Sequence, residues 1–260
     1  MAMLAGCGPA EPARTDRPAE PMAIPTGRLA QWLRPLAEDP EDAETWLALA
    51  QAASFEWQDA DTAERCVRRV LSSPRASATT QSLAWRVRGD IHVHAQRHDQ
   101  ARAMYAQALV LAETAAVHRS LVHLEGHRGN LAAAASHAQR AWALDPQDPI
   151  AGLLLAALLR RNGAIADSES VYARSCALAE VDADLRPRSG EGDAHCCIVF
   201  NGAGYWAVAG RLDRALDLLD RFVAIPAHRH ITQGDLRSDP DFTALHGMPR
   251  FERLLAGLPP

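Results

Sequence analysis

Apolar residues recur at steps of three and four positions along much of the chain, which is the spacing of one buried face on an α-helix. Leu212, Ala215, Leu216 and Leu219 show the pattern clearly. Alanine and leucine dominate the apolar share, and aromatic residues make up only 5% of the sequence. This composition favours packed helices over sheets.

The helical pattern repeats along the chain. With Tyr105 as the reference, the equivalent residues are Ala138, Tyr172 and Leu219, at steps of 33, 34 and 47 residues. The last step is one repeat plus a 13-residue insertion. Five units therefore begin near residues 43, 82, 115, 149 and 196. In the same frame, a tight turn between two helices falls at Gln96, Gly129, Gly163 and Gly210.

The repeated unit resembles the tetratricopeptide repeat (TPR), and the resemblance covers residues 43–229. It implies an all-α fold, a right-handed superhelical solenoid of about five helical hairpins whose first helices line a concave groove. His118 and Gly152 depart from the pattern, because they replace the early aromatic residue. The residues that carry the resemblance are Trp46 and Trp85 early in the first helix, the small residues Ala50 and Gly89 four positions later, and the closing Pro74 and Pro146.

Both ends of the array predict caps. Residues 27–42 form an amphipathic helix that covers the first repeat. Residues 230–260 resemble the segment that often closes a TPR array in bacterial proteins. In that segment Asp239-Pro240 begins a short helix, Gly247 ends it, and a second helix lays Phe251, Leu254 and Leu255 on the stack. This resemblance implies termination of the array and not catalysis.

The first 26 residues predict a flexible tether, because residues 8–26 have no helical or strand period and are rich in proline and alanine. Within them, the sequence from Leu4 to Cys7 resembles the lipobox of bacterial lipoproteins, in which Cys7 would be lipidated. Only a short apolar stretch without charge precedes Leu4. Three explanations stay open: a start further upstream, a trimmed chain, or a chance match.

The charge balance excludes some partners. The chain has 27 arginines, no lysine and 32 acidic residues, for a net charge of −5, so it lacks the basic excess of a general nucleic-acid binder. The longest apolar stretch, residues 150–159, is too short to cross a bilayer. We therefore expect no nucleic acid as a partner, and contact with a membrane only through a lipid on Cys7.

Two patterns suggest cofactor or metal sites, and we interpret both as structural. Gly202, Gly204 and Ala207 imitate a dinucleotide-binding fingerprint, but no βαβ pattern surrounds them, and small residues there suit helix contact in a TPR. His123 and His127 share one helical face without an evident third ligand. No Ser/His/Asp arrangement is evident either. We expect neither a cofactor, nor a metal, nor catalysis.

The cysteines leave one alternative open. No C-x-x-C pair is present, which argues against a zinc or redox motif. In an oxidising compartment, Cys176 could bond Cys196 or Cys197 across neighbouring repeats. The sequence does not decide between these pairings and reduced thiols.

The groove is the candidate binding site. In the TPR frame, cations and imidazoles outnumber acids on the first helices, which predicts a site for an acidic protein segment held by arginine forks and an asparagine amide. The alternative is that these side chains are simply solvated. The predicted groove residues are Arg86, Asp90, His94, Arg119, His123, His127, Arg160 and Asn201.

These observations predict a non-enzymatic scaffold or adaptor that binds other proteins. The lipobox-like start favours a periplasm-facing lipoprotein of the bacterial envelope that assists assembly of a larger complex. The alternative is a cytoplasmic TPR module that regulates a partner enzyme. A nucleotide-dependent oxidoreductase built around Gly202 is rejected for want of a βαβ unit.

Overall fold

The computed structural model describes residues 30–55, 59–187, 196–224 and 232–259, with backbone alone for residues 30–33 and Cys196. Most of these residues, 78%, are helical. The α-helices of the described residues are α1 (Ala30–Glu38), α2 (Ala43–Phe55), α3 (Ala60–Ser72), α4 (Ala78–His94), α5 (His98–Leu111), α6 (Ala115–His127), α7 (Leu131–Leu144), α8 (Pro149–Arg161), α9 (Ile165–Leu178), α10 (Cys196–Val208), α11 (Leu212–Ala224), α12 (Gln233–Ser238) and α13 (Pro249–Ala256).

Helices α2 to α11 form five hairpins, each a first helix followed by a second one. Each first helix also packs against the first helix of the next hairpin, so that α2, α4, α6, α8 and α10 together make an inner wall. Each second helix of hairpins 1 to 3 packs against the first helix of the next hairpin. The prediction of an all-α, TPR-type solenoid is confirmed, although α4 begins at Ala78 and not near residue 82.

The same turn joins the helices of four hairpins. Gln96, Gly129, Gly163 and Gly210 all have a left-handed backbone, with φ between 58° and 78°. In hairpin 3, the Gly129 N–H donates to the Gly126 carbonyl and the Asn130 N–H to the Glu125 carbonyl, which closes the end of α6. The identical geometry fixes equivalent positions from one hairpin to the next.

Small residues let large ones fill the interior of the hairpins. Tyr105 is fully buried against Gly89, where an added Cβ would lie 2.3 Å from the tyrosine ring. The Tyr105 hydroxyl donates to Asp90 at 2.7 Å, so its one polar atom is satisfied. Trp85, by contrast, is only partly buried, with the Arg88 guanidinium 4.8 Å from its ring centre. The space at this point of the repeat is filled mainly by the tyrosine.

The insertion between hairpins 4 and 5 is anchored by Leu185. In the insertion, Val181 and Pro187 pair through an isolated antiparallel β-bridge. Between them, Leu185 is fully buried against Gly202. A Cβ at Gly202 would lie 1.9 Å from the Leu185 side chain. The absence of a side chain at Gly202 therefore makes room for Leu185 of the insertion. The sequence pattern instead predicts contact with another helix at this position.

The C-terminal cap has three parts: α12, a 3-10 helix (Pro240–Leu245) and α13. Phe242, Leu245, Phe251 and Leu255 are fully buried. The 3-10 helix begins after Asp239, whose side chain accepts from the Asp241 N–H, and α13 begins at Pro249. Across the described ranges, no helix is both long enough and apolar enough to cross a membrane.

Candidate functional site

The inner wall is divided into an open part and a filled part. We call residues 232–245, which comprise α12 and the 3-10 helix, the closing segment. It lies against α6, α8 and α10 and so fills the wall of hairpins 3 to 5. Among the described residues, the closing segment does not cover the wall of hairpins 1 and 2 and the neighbouring part of α6, which we call the open part.

Polar contacts hold the closing segment by its main chain and by one carboxylate. The His127 ring lies with Nδ1 3.3 Å from the Ser238 carbonyl, and because that oxygen only accepts, His127 carries its proton on Nδ1. Arg161 donates to the Pro240 carbonyl at 2.9 Å and to the Asp241 carboxylate at 2.5 Å. One arginine thus recognises both a carbonyl and an acid of the same segment.

Apolar contacts complete the docking. Phe242 is fully buried and meets Phe200 of α10 edge to face, with ring centres 5.4 Å apart. Gly204 of α10 makes room for Asp241, because a Cβ at this position would lie 2.8 Å from a carboxylate oxygen. The second glycine of the apparent dinucleotide fingerprint therefore accommodates the closing segment.

A cavity of about 40 Å³ remains between the closing segment and the wall. His123, His127, Asn201, Asp239 and Asp241 are among its lining residues. Burial lowers the pKa of His123 to about 4, with His127 adding to the effect, so the ring is neutral. Burial and the neighbouring Asp241 carboxylate raise the pKa of Asp239 to about 7. The pocket therefore disfavours charge on both groups.

The predicted groove residues of hairpin 2 lie on the open part of the wall. Arg86 binds Asp90 through Nη1 at 2.6 Å, and Asp90 also accepts from Tyr105. His94 is exposed at the end of α4. The predicted excess of cations is thus reduced here, because Asp90 already neutralises Arg86.

The remaining predicted residues have different surroundings. Arg119 of α6 pairs with Asp148 at 3.1 Å, and Asp148 caps α8, so this pair links hairpins 3 and 4. Arg160 pairs with Glu169 of α9 at 3.0 Å. Asn201 donates to the Cys197 carbonyl at 2.7 Å within α10 and lines the cavity.

Sequence reasoning missed Arg161 and the path of the closing segment. A signal was present, because Ala157, Phe200 and Gly204 are small or apolar at positions where an open groove would face water. A wall of this composition needs a cover. The closing segment provides this cover, although its sequence predicts only a position at the end of the stack.

Three other predictions concern chemistry. Among the described residues, no group of three or more His, Cys, Asp or Glu side chains could hold a metal ion. The lipobox-like Leu4–Cys7 and the tether lie outside the described residues. The Cys196 side chain also lies outside them, so its pairing with Cys176 stays a prediction.

Comparison with known proteins supports the fold. No family model and no curated protein matches the chain. Among solved structures, the APC/C hetero-tetramer Cut9–Hcn1 is similar with a TM-score of 0.53 and 15% identity, over 88% of this chain and 45% of that one. This likeness extends to the fold alone. The fold is that of a TPR-type solenoid.

Two further solved structures are similar at lower scores. PilW, described as a widely conserved type IV pilus biogenesis factor, has a TM-score of 0.48 at 18% identity, over 75% of this chain and 83% of its own. YrrB, described as a TPR protein with an unusual peptide-binding site, has a TM-score of 0.42 at 19% identity, over 75% of this chain and 92% of its own.

Proposed function

We propose that this protein is a non-enzymatic scaffold that captures an acidic segment of a partner protein on the open part of its inner wall. One observation carries the proposal: the closing segment. It is an aspartate-bearing segment held on the same wall, by an arginine that contacts a carboxylate and a carbonyl together. The wall therefore has the chemistry that the partner would need.

Arg86 and Arg119 are the arginines offered to the partner. Among the described residues, Arg86 uses Nη1 for Asp90 and its Nε is buried, so the remaining N–H groups of its two Nη atoms are left for a carboxylate of the partner. Arg119 lies one hairpin further, on α6, beside His123. Arg160 of α8 would be a third arginine for the partner. It would give up its ion pair with the exposed Glu169 to bind the partner's carboxylate.

The test is capture of the partner by a variant with Arg86, Arg119 and Arg160 all changed to Gln. Each arginine is replaced by an uncharged donor, so we expect partner capture to be lost. Because Arg86 and Arg119 also pair with Asp90 and Asp148, capture is measured at a temperature at which circular dichroism shows the variant to be folded. The matched control changes Arg68, Arg102 and Arg140 to Gln, which removes three charges from the second helices α3, α5 and α7. Equal capture by both triple variants would refute the proposal.

We further propose that the scaffold acts in the bacterial envelope, anchored by a lipid on Cys7. The lipobox-like residues and the proline-rich tether after them support this assignment. Mass spectrometry of the protein from its native cells should find an acylated Cys7 at the mature N-terminus, and Cys7→Ser should release it from the membrane fraction. An unmodified Cys7 with an intact upstream sequence would favour the cytoplasmic alternative, in which the module regulates a partner enzyme.

A further inference from the structure

The residues that hold the closing segment occupy one repeated position. His127 and Arg161 each stand two residues before the left-handed turn glycine of their hairpin, Gly129 or Gly163. Both donate to a main-chain carbonyl of the closing segment, and the two carbonyls, of Ser238 and Pro240, are two residues apart. In hairpins 3 and 4 the wall therefore has a donor at the same repeated position, and the two donors bind the carbonyls on either side of Asp239, whose backbone is extended between α12 and the 3-10 helix.

His94 is the same position of hairpin 2, two residues before the left-handed Gln96. Its ring is exposed, and among the described residues none hydrogen-bonds to it. Hairpin 2 contacts hairpin 3 near this position, because His98 at the start of α5 stacks on His127 with ring centres 6.4 Å apart. His94 is thus the equivalent side chain of hairpin 2, without an acceptor among the described residues, whereas His127 and Arg161 each have one.

A cavity accompanies both histidines. Beside His127, Pro240 of the closing segment lines the 40 Å³ cavity and lies 3.7 Å from the place a Cβ would take on Gly126. Beside His94, a cavity of about 30 Å³ is lined by Ser54, Ala60 and Ile91. The second cavity is small, and its lining includes the apolar side chains of Ala60 and Ile91, so it suits a proline or another small apolar side chain.

We infer that the rim of hairpins 1 and 2 binds an extended, proline-containing segment of the partner, with His94 donating to a main-chain carbonyl and the proline two residues later entering the cavity beside Ile91. This inference rests on the proposed function and adds the position and the binding mode of the partner. The closing segment shows the mode on the next hairpins, where a carbonyl and a proline occupy the same relative places.

The probe is a synthetic peptide that copies residues 236–244 of this chain, with the sequence Leu-Arg-Ser-Asp-Pro-Asp-Phe-Thr-Ala. Fluorescence anisotropy of the labelled peptide measures its affinity for the full chain. We expect His94→Ala to weaken binding about five-fold, which corresponds to one hydrogen bond, and His94→Gln to restore part of it through the amide N–H. A peptide with glutamate in place of the proline should bind more weakly than the original.

The matched control is His92→Ala, since His92 lies on the same helix but accepts from Arg97 at 3.0 Å. NMR shifts in the full chain locate the peptide. Shifts around Ile91 and His94 support the inference, whereas shifts confined to hairpins 4 and 5 mean that the peptide displaces the closing segment and overturn it. Absence of binding also overturns it, while the proposed function stands or falls separately on partner capture by the inner-wall arginine variants.

Discussion

At the scale of single residues, glycines on the first helices decide what can pack on them. Gly89, Gly152 and Gly204 each face an atom that lies within 3.0 Å of the place a Cβ would take. Gly126 lies on the same wall, but its nearest neighbour is 3.7 Å away, which is an ordinary contact. Glycines of similar sequence context therefore differ sharply in their tolerance of a methyl group.

Gly89→Ala should destabilise the protein by about 1–3 kcal/mol, because the new methyl group collides with the fully buried ring of Tyr105. Gly126→Ala is the matched control and should leave stability unchanged or raise it by up to about 1 kcal/mol, as alanine favours a helix more than glycine does. Urea denaturation measures both. An equal effect of the two substitutions would contradict the packing described for Tyr105.

The pH dependence of stability tests the cavity at Asp239. Its pKa is raised from 3.8 to about 7 in the folded protein, so the unfolded chain loses the proton at a lower pH than the folded one. The stability that this group contributes is therefore complete below about pH 4 and lost as the pH rises towards 7. Asp239→Asn keeps the side-chain oxygen that accepts from the Asp241 N–H at 2.8 Å but carries no charge.

We therefore expect the stability of Asp239→Asn, relative to the wild type, to increase from pH 4 to pH 7. Guanidinium denaturation of both proteins at four or five pH values measures the difference, and the titration of His123 is common to both and cancels. A difference that is constant or falls with pH would mean that Asp239 is solvated and that the closing segment does not lie as described.

At the scale of elements, two segments outside the repeat depend on α10. The insertion uses Gly202 to seat Leu185, and the closing segment uses Gly204 to seat Asp241. These two glycines are only two residues apart, yet they lie against different segments. A single methyl group on one or the other should loosen only one of them.

Gly202→Ala should increase hydrogen exchange in residues 181–187, and Gly204→Ala should increase it in residues 232–245, each with little effect on the other segment. Peptide-resolved exchange measured by mass spectrometry separates the two. If both variants loosen the same segment, the assignment of the two glycines is wrong.

How much the sequence predicts depends on whether a contact repeats. The equivalence of Gln96, Gly129 and Gly163 is visible in the sequence, because each position recurs with the hairpin, and so the turns and the fold class follow from it. The contacts of Leu185 with Gly202 and of Asp241 with Gly204 each occur once and join residues distant along the chain. A repeating sequence pattern therefore cannot predict them. The apolar residues Ala157 and Phe200 signalled that the wall was covered, but not by what.

At the scale of the whole molecule, the closing segment divides the inner wall. It docks on α6, α8 and α10. We propose hairpins 1 and 2, with the adjoining face of α6, as the surface for a partner. The groove is therefore shorter than the array that forms it. Residues of the same repeated position have different surroundings: Arg161 holds the chain's own segment, whereas the His94 ring is exposed and is the position that we propose binds another protein.

Site-specific photo-crosslinking tests this division most directly. A photoreactive amino acid is placed in the full chain at position 94, at position 161 or, as an outer control, at the exposed Gln139 of α7. We predict that position 161 crosslinks within the molecule to residues 238–242, position 94 crosslinks to a partner protein, and position 139 does neither. A crosslink from position 94 to the closing segment, or capture of the partner from position 139 as efficient as from position 94, would contradict the account.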